Sequence, residues 1–106
     1  MEKKLIWLDL EMTGLDPNAE RIIEIYTCIT NEDLTEIIEG PGMVISQSKE
    51  LIDGMDEWNQ EHHSASGLID EVLASKISEQ EAEQRTLEFI KPVSYTHLRA
   101  HETYPH

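Results

Sequence analysis

The segment Leu5-Ile6-Trp7-Leu8-Asp9-Leu10-Glu11-Met12-Thr13-Gly14-Leu15-Asp16-Pro17 places two acids on alternate positions at the end of an apolar run. In an extended strand, residues two apart project from the same face. Asp9 and Glu11 then stand side by side, with Cα atoms about 7 Å apart. Two carboxylates about 6 Å apart, at an effective dielectric of about 20, repel by roughly 2–3 kcal/mol. A strand that keeps both needs a compensating partner, and a hard divalent cation with oxygen ligands is the natural one. The spacing therefore points to a metal site. A pair of solvent-exposed strand acids is the simpler account of a bare Asp-x-Glu.

Working outward, Lys4–Met12 reads as a strand and Thr13–Glu20 as a loop. Arg21–Thr30 is rich in β-branched residues and predicts a second strand. Asn31-Glu32-Asp33 supplies a hairpin turn into a third strand over Leu34–Glu39. Gly40-Pro41-Gly42 breaks or bends that strand, and Met43–Ser46 resumes it. Three strands with short connections predict an antiparallel meander. Helices are predicted over Asp56–His63 and over Ser66–Ser75, the latter with Leu68, Ile69, Val72 and Leu73 as its apolar stripe. Ser78 and Glu81 have capping-box spacing and open a third helix to about Lys91, where Pro92 ends it.

The 106 residues suit one domain or part of one, and carry a net charge of −14. The acids are spread along the chain, as on a solvated acidic surface. Such a surface argues against tracking a long phosphate backbone, which needs a basic groove. A short nucleic-acid ligand held through metal ions remains compatible with it. Cys28 is the only cysteine, so no disulfide forms within the chain, and it reads as a small core residue. Lys3 and Lys4 are followed by only Leu5–Leu8 before the first acid, too short for a signal peptide or membrane span. The expected location is cytoplasmic.

Composition changes at Pro92. Residues 1–91 hold 21 of the 22 acids and 7 of the 8 bases, while 92–106 hold three of the five histidines. The run Val93–Thr103 has neither strand nor helix periodicity, and it resembles translated sequencing-adapter read-through. The expected division is a domain over 1–91 and a foreign or disordered tail over 92–106. His97 and His101 have the i, i+4 spacing of a helical metal pair, but the tail is given no functional weight.

The opening string, followed by Arg21-Ile22-Ile23-Glu24-Ile25, resembles the first motif of the DEDD-type 3′–5′ exonucleases, and within them the oligoribonuclease family. Met55-Asp56-Glu57-Trp58-Asn59, His63-Ser64-Ala65-Ser66-Gly67-Leu68 and Thr86-Leu87-Glu88-Phe89-Ile90 are similar to that family too. Proofreading exonucleases share the acidic pair but have a threonine where Met12 stands and lack the tryptophan-to-histidine segment. The resemblance covers residues 5–91. It implies an α/β architecture: a truncated RNase H-like exonuclease fold, here a three-stranded antiparallel meander followed by helices. It also implies metal-dependent 3′–5′ hydrolysis of very short RNA oligomers to mononucleotides, with Asp9 and Glu11 as catalytic ligands for two Mg²⁺ or Mn²⁺ ions. In two-metal hydrolysis one ion generates the attacking hydroxide, and both clamp the scissile phosphate.

The same resemblance makes Met12, Thr13, Gly14, Leu15, Trp58 and His63 substrate-binding residues. Gly14 permits close backbone approach, Leu15 wedges against bases, Trp58 stacks on them, and His63 caps a terminal phosphate. Read without it, Met12 and Leu15 are core, and Trp58 is either a core anchor or a stacking platform. His62 has no counterpart in the family and reads as a surface histidine. The implied partners are short RNA oligonucleotides, with no membrane, and a second copy of the chain in the complete enzyme. Two later family motifs, carrying further metal-binding aspartates and a general-base histidine, are missing from the sequence. The chain is thus expected to be an incomplete fragment, inactive alone. The alternatives are a DNA-directed proofreading-type 3′–5′ exonuclease and a non-catalytic metal- or nucleotide-binding fragment.

Overall fold

The computed structural model describes residues 3–16 and 18–97, the side chains of 94–97 excepted. Strand β1 (Lys4–Met12) pairs antiparallel with β2 (Ile22–Asn31), and β2 pairs antiparallel with β3 (Ile37–Val44), in the order β1-β2-β3. This is the predicted meander, and β1 has its predicted bounds. Alternation explains it: Ile6 is buried, while Trp7 and Asp9 on the other face are exposed.

The third strand starts three residues later than predicted. The Asn31 side-chain oxygen accepts from the Thr35 and Glu36 amides at 3.0 and 3.1 Å, and Leu34 turns through a left-handed φ of 59°. These bonds commit Leu34–Glu36 to the turn. The strand then runs unbroken through Gly40-Pro41-Gly42. Tyr26 faces Gly42 and Cys28 faces Glu39, so Thr27 opposes both Gly40 and Pro41 in a β-bulge. Proline lacks a donor, and a bulge on an outer strand asks for none. Gly40 is needed there, because a Cβ would collide with the Phe89 ring.

Among the described residues four helices follow: α1 (Lys49–Asp53), α2 (Glu57–Ala65), α3 (Leu68–Ala74) and α4 (Glu79–His97). Helix α1 was not predicted, since five residues are too few for periodicity to register. Its cap is local: the Ser48 hydroxyl accepts from the Leu51 amide at 3.1 Å. Gly67, at φ 81°, turns the chain from α2 into α3. Ser78 caps α4 by accepting from the Glu81 amide at 3.1 Å, as its spacing predicts. Pro92 does not end α4, which continues to His97. Proline forfeits one amide bond, but its fixed φ of about −65° fits a helix. Residues 93–97 are therefore helical despite their lack of periodicity, and the rest of the expected tail, 98–106, lies outside the described residues.

The helices gather at the end of the sheet where β1 finishes. Ile23 packs with Ile52, Met55, Leu68 and Val72, and Met43 and Ile45 pack with Ala82 of α4. Leu73 of the predicted stripe is exposed. Cys28 is half-buried rather than fully in the core, and burial, followed by the Glu39 carboxylate, pushes its thiol pKa up, away from reactivity. Among the described residues no helix is long and apolar enough to cross a membrane.

Candidate active site

Pairing between β1 and β2 builds the acidic floor. Asp9 lies opposite Tyr26, and Glu11 lies opposite Glu24. Asp9, Glu11 and Glu24 thus occupy one surface, Asp9 exposed and the two glutamates half-buried. Glu24 has its pKa raised, first by burial, then by the carboxylates of Glu11, Glu71 and Asp9, with His63 opposing. Sequence reasoning missed Glu24 as a site residue. Its two-residue alternation was visible, but its place beside Glu11 depends on register between strands.

Where β1 ends, the register shifts between Glu11 and Met12. The Met12 carbonyl accepts from His63 Nε2 at 2.9 Å, and His63 is only 2% exposed. Thr13 is buried. Its hydroxyl donates to Glu20 Oε1 at 3.1 Å and accepts from the Arg21 amide at 2.9 Å, closing the loop between β1 and β2. Gly14 lies close to the Glu20 carboxylate, which would have to move to admit a Cβ there. Leu15 is 90% exposed, so it is no core residue, and Trp58 is 66% exposed.

The opposite wall is α2. The Asp56 carboxylate caps it, accepting from the Asn59 amide at 2.8 Å and from Asn59 Nδ2 at 3.0 and 3.1 Å. Those bonds, the backbone one foremost, hold the Asp56 pKa below its ordinary value. Trp58 and His62, one turn apart, stack with centroids 4.8 Å apart and an interplanar angle of 12°. His62, read as an ordinary surface residue, thereby covers one face of the indole. Trp58 is neither a core anchor nor open on both sides.

Between the walls lies a cleft of about 500 Å³, within the range of small-ligand sites. Glu11, Met12, Gly14, Leu15, Trp58 and His63 all line it. Asp9 and Thr13 do not. Leu10, Asp56 and Asn59 complete the lining; the latter two stood in a quoted motif without being recognised as site residues. Glu11, His62 and His63 also bring one potential ligand atom each to within 4.8 Å of one another.

An acidic strand end thus faces an exposed aromatic across a cleft of small-ligand size. The chain belongs to the exonuclease family RNase_T, which it matches over residues 6–97, beyond the Lys91 limit of the sequence resemblance. It is similar to the oligoribonuclease of Arabidopsis thaliana, 53% identical over 90 residues that make up 85% of this chain and 40% of that protein. It is also similar to the oligoribonuclease of Shewanella frigidimarina (strain NCIMB 400), 54% identical over 86 residues, 81% of this chain and 48% of that protein. The oligoribonuclease of Haemophilus influenzae (strain PittGG) is 52% identical over 90 residues, 85% of this chain and half of that protein. The chain spans about half the length of these relatives or less. The family depends on divalent metal ions.

Proposed function

We propose that this chain supplies the metal-holding and base-gripping part of a 3′–5′ exoribonuclease that degrades very short RNA oligomers to mononucleotides. The observation that carries the reading is that Glu11 shares one cleft with the exposed Leu15 and Trp58. The residues fit a divalent ion. Three carboxylates crowd one sheet surface, and the pKa of Glu24 is raised first by burial and then by the carboxylates of Glu11, Glu71 and Asp9. Asp9 and Glu11 are the proposed ligands for Mg²⁺ or Mn²⁺, both hard ions suited to oxygen donors. When bound, such ions supply Lewis-acid activation of water and of the phosphate oxygens.

The chain's own residues bind and orient. Leu15 and the open face of Trp58 offer apolar surface to bases, and base stacking on indole tolerates any sequence. Met12 and Gly14 wall the end of β1. His63 is held to the Met12 carbonyl through Nε2, which fixes the ring in the wall of the cleft, where the family resemblance makes it the contact for a terminal phosphate. Thr13 shapes the site by closing the loop rather than by touching substrate. The chain alone binds ligand without turnover in this reading.

The test is equilibrium binding of a 5′-phosphorylated RNA dinucleotide and its DNA counterpart, with and without Mn²⁺. Metal-dependent binding of RNA, weakened by Glu11→Gln and by Trp58→Ala, is expected. In a chain extended to its relatives' full length, Asp9→Asn or Glu11→Gln should abolish turnover. Near-normal cleavage by either variant at saturating Mn²⁺ overturns the assignment, and equal handling of DNA favours the proofreading alternative.

A further inference from the structure

Glu11 and His63, which line the cleft, also line a smaller polar pocket of about 210 Å³, together with His62, Glu24 and Glu71. We infer that Glu11, His62 and His63 form a second metal site, selective for a borderline transition ion such as Zn²⁺ or Cu²⁺ over Mg²⁺. The three potential ligand atoms lie within 4.8 Å of one another. Tetrahedral zinc with bonds of about 2.0–2.1 Å requires neighbouring ligand atoms about 3.3 Å apart. Binding would require the exposed His62 and the half-buried Glu11 side chains to rotate toward each other, shifting His62 on the Trp58 ring.

The third ligand is already oriented. His63 is buried, and with Nε2–H donated to the Met12 carbonyl its lone pair resides on Nδ1. A backbone carbonyl holding the far nitrogen is the usual support of a metal-bound imidazole. Glu24 and Glu71 add negative charge around the same pocket. Two imidazoles select the ion: nitrogen donors suit Zn²⁺ and Cu²⁺, whereas Mg²⁺ demands oxygen. Because Glu11 is shared, a transition ion here withdraws it from the Asp9–Glu11 pair. That consequence, unlike the binding itself, rests on the proposed catalytic role of Glu11.

The test measures metal binding without RNA, so it stands or falls separately from the nuclease reading. An untagged chain with His97→Ala, His101→Ala and His106→Ala removes the competing imidazoles. Calorimetry with Zn²⁺ should give one ion per chain, undisplaced by excess Mg²⁺. With Cu²⁺, electron paramagnetic resonance should show nitrogen coupling, and Trp58 fluorescence should be quenched through the stacked His62. His62→Ala, His62→Gln and Glu11→Gln should each weaken Zn²⁺ by at least about tenfold, since even supporting groups cost that much. Glu50→Gln, outside the pocket, should not. Unchanged affinity in both His62 variants with native circular dichroism, or Cu²⁺ bound without nitrogen coupling, overturns the site.

Discussion

The two walls of the cleft are built differently. On one, β1 delivers Glu11 and Met12 from a strand paired with β2 along its whole length. On the other, α2 brings Trp58 and His63 from far along the chain. That wall rests on the Asp56 cap, on its junction with α3, and on a hydrogen bond from His63 to Met12 across 51 residues. Backbone pairing makes the strand wall indifferent to most side-chain changes in it, so substitutions there alter chemistry more than position. The helix wall is positioned by side chains, and substitutions there should move it.

The largest effect is expected at the tie between the walls. His63→Ala removes a buried ring and leaves the Met12 carbonyl unpartnered, which should cost about 2–4 kcal/mol in urea unfolding. A loss within experimental error would show that α3 packing alone seats the helix wall. Thr13→Ala comes next, at about 1–2 kcal/mol, because two hydrogen bonds of the loop vanish. Thr13→Ser, which keeps the hydroxyl, should recover most of it by the same measurement.

Asp56→Ala should give a smaller loss, seen as faster amide exchange at Asn59. Its carboxyl pKa is lowered in the folded state, so its stabilisation is present above the unfolded pKa of about 3.9 and fades as pH falls through the folded value. The difference from the parent chain should therefore disappear in strong acid. Glu24→Gln should have the smallest effect and the opposite sign. Its folded pKa is raised, so its favourable contribution exists below the unfolded value of about 4.3 and is lost as pH rises through the folded one. At neutral pH the substitution should raise the melting temperature, and the gain should vanish in acid. Destabilisation by Glu24→Gln at pH 7 would mean that the carboxylate makes a contact worth more than its burial and repulsion cost.

The contrast between the walls also marks what the sequence disclosed. Strand β1 was legible to the residue, because an apolar run that meets a glycine- and proline-bearing loop is a local property. The Asp9–Glu11 pair was legible for the same reason. Glu24 was not, since only pairing with β1 sets it beside Glu11. Nor was the burial of His63, which depends on a carbonyl 51 residues away. Of the breakers, Gly40-Pro41 bends β3 in a bulge whose glycine admits Phe89, as one of its two expected effects, whereas Pro92 was read too literally and lies inside a helix. Thr13 is buried and bonded within its own loop, which the motif alone did not disclose.

Leu15 keeps nine-tenths of its surface in water in the lining of the cleft that it shares with Trp58. Such surface is a thermodynamic label. A ligand that covers it must release that hydration and show a negative heat-capacity change, its binding heat growing more exothermic with temperature. A ligand that touches only the carboxylates through an ion would lack this signature. Calorimetry at several temperatures, comparing an RNA dinucleotide with its sugar-phosphate lacking bases, thus reads directly whether bases or phosphate cover that surface.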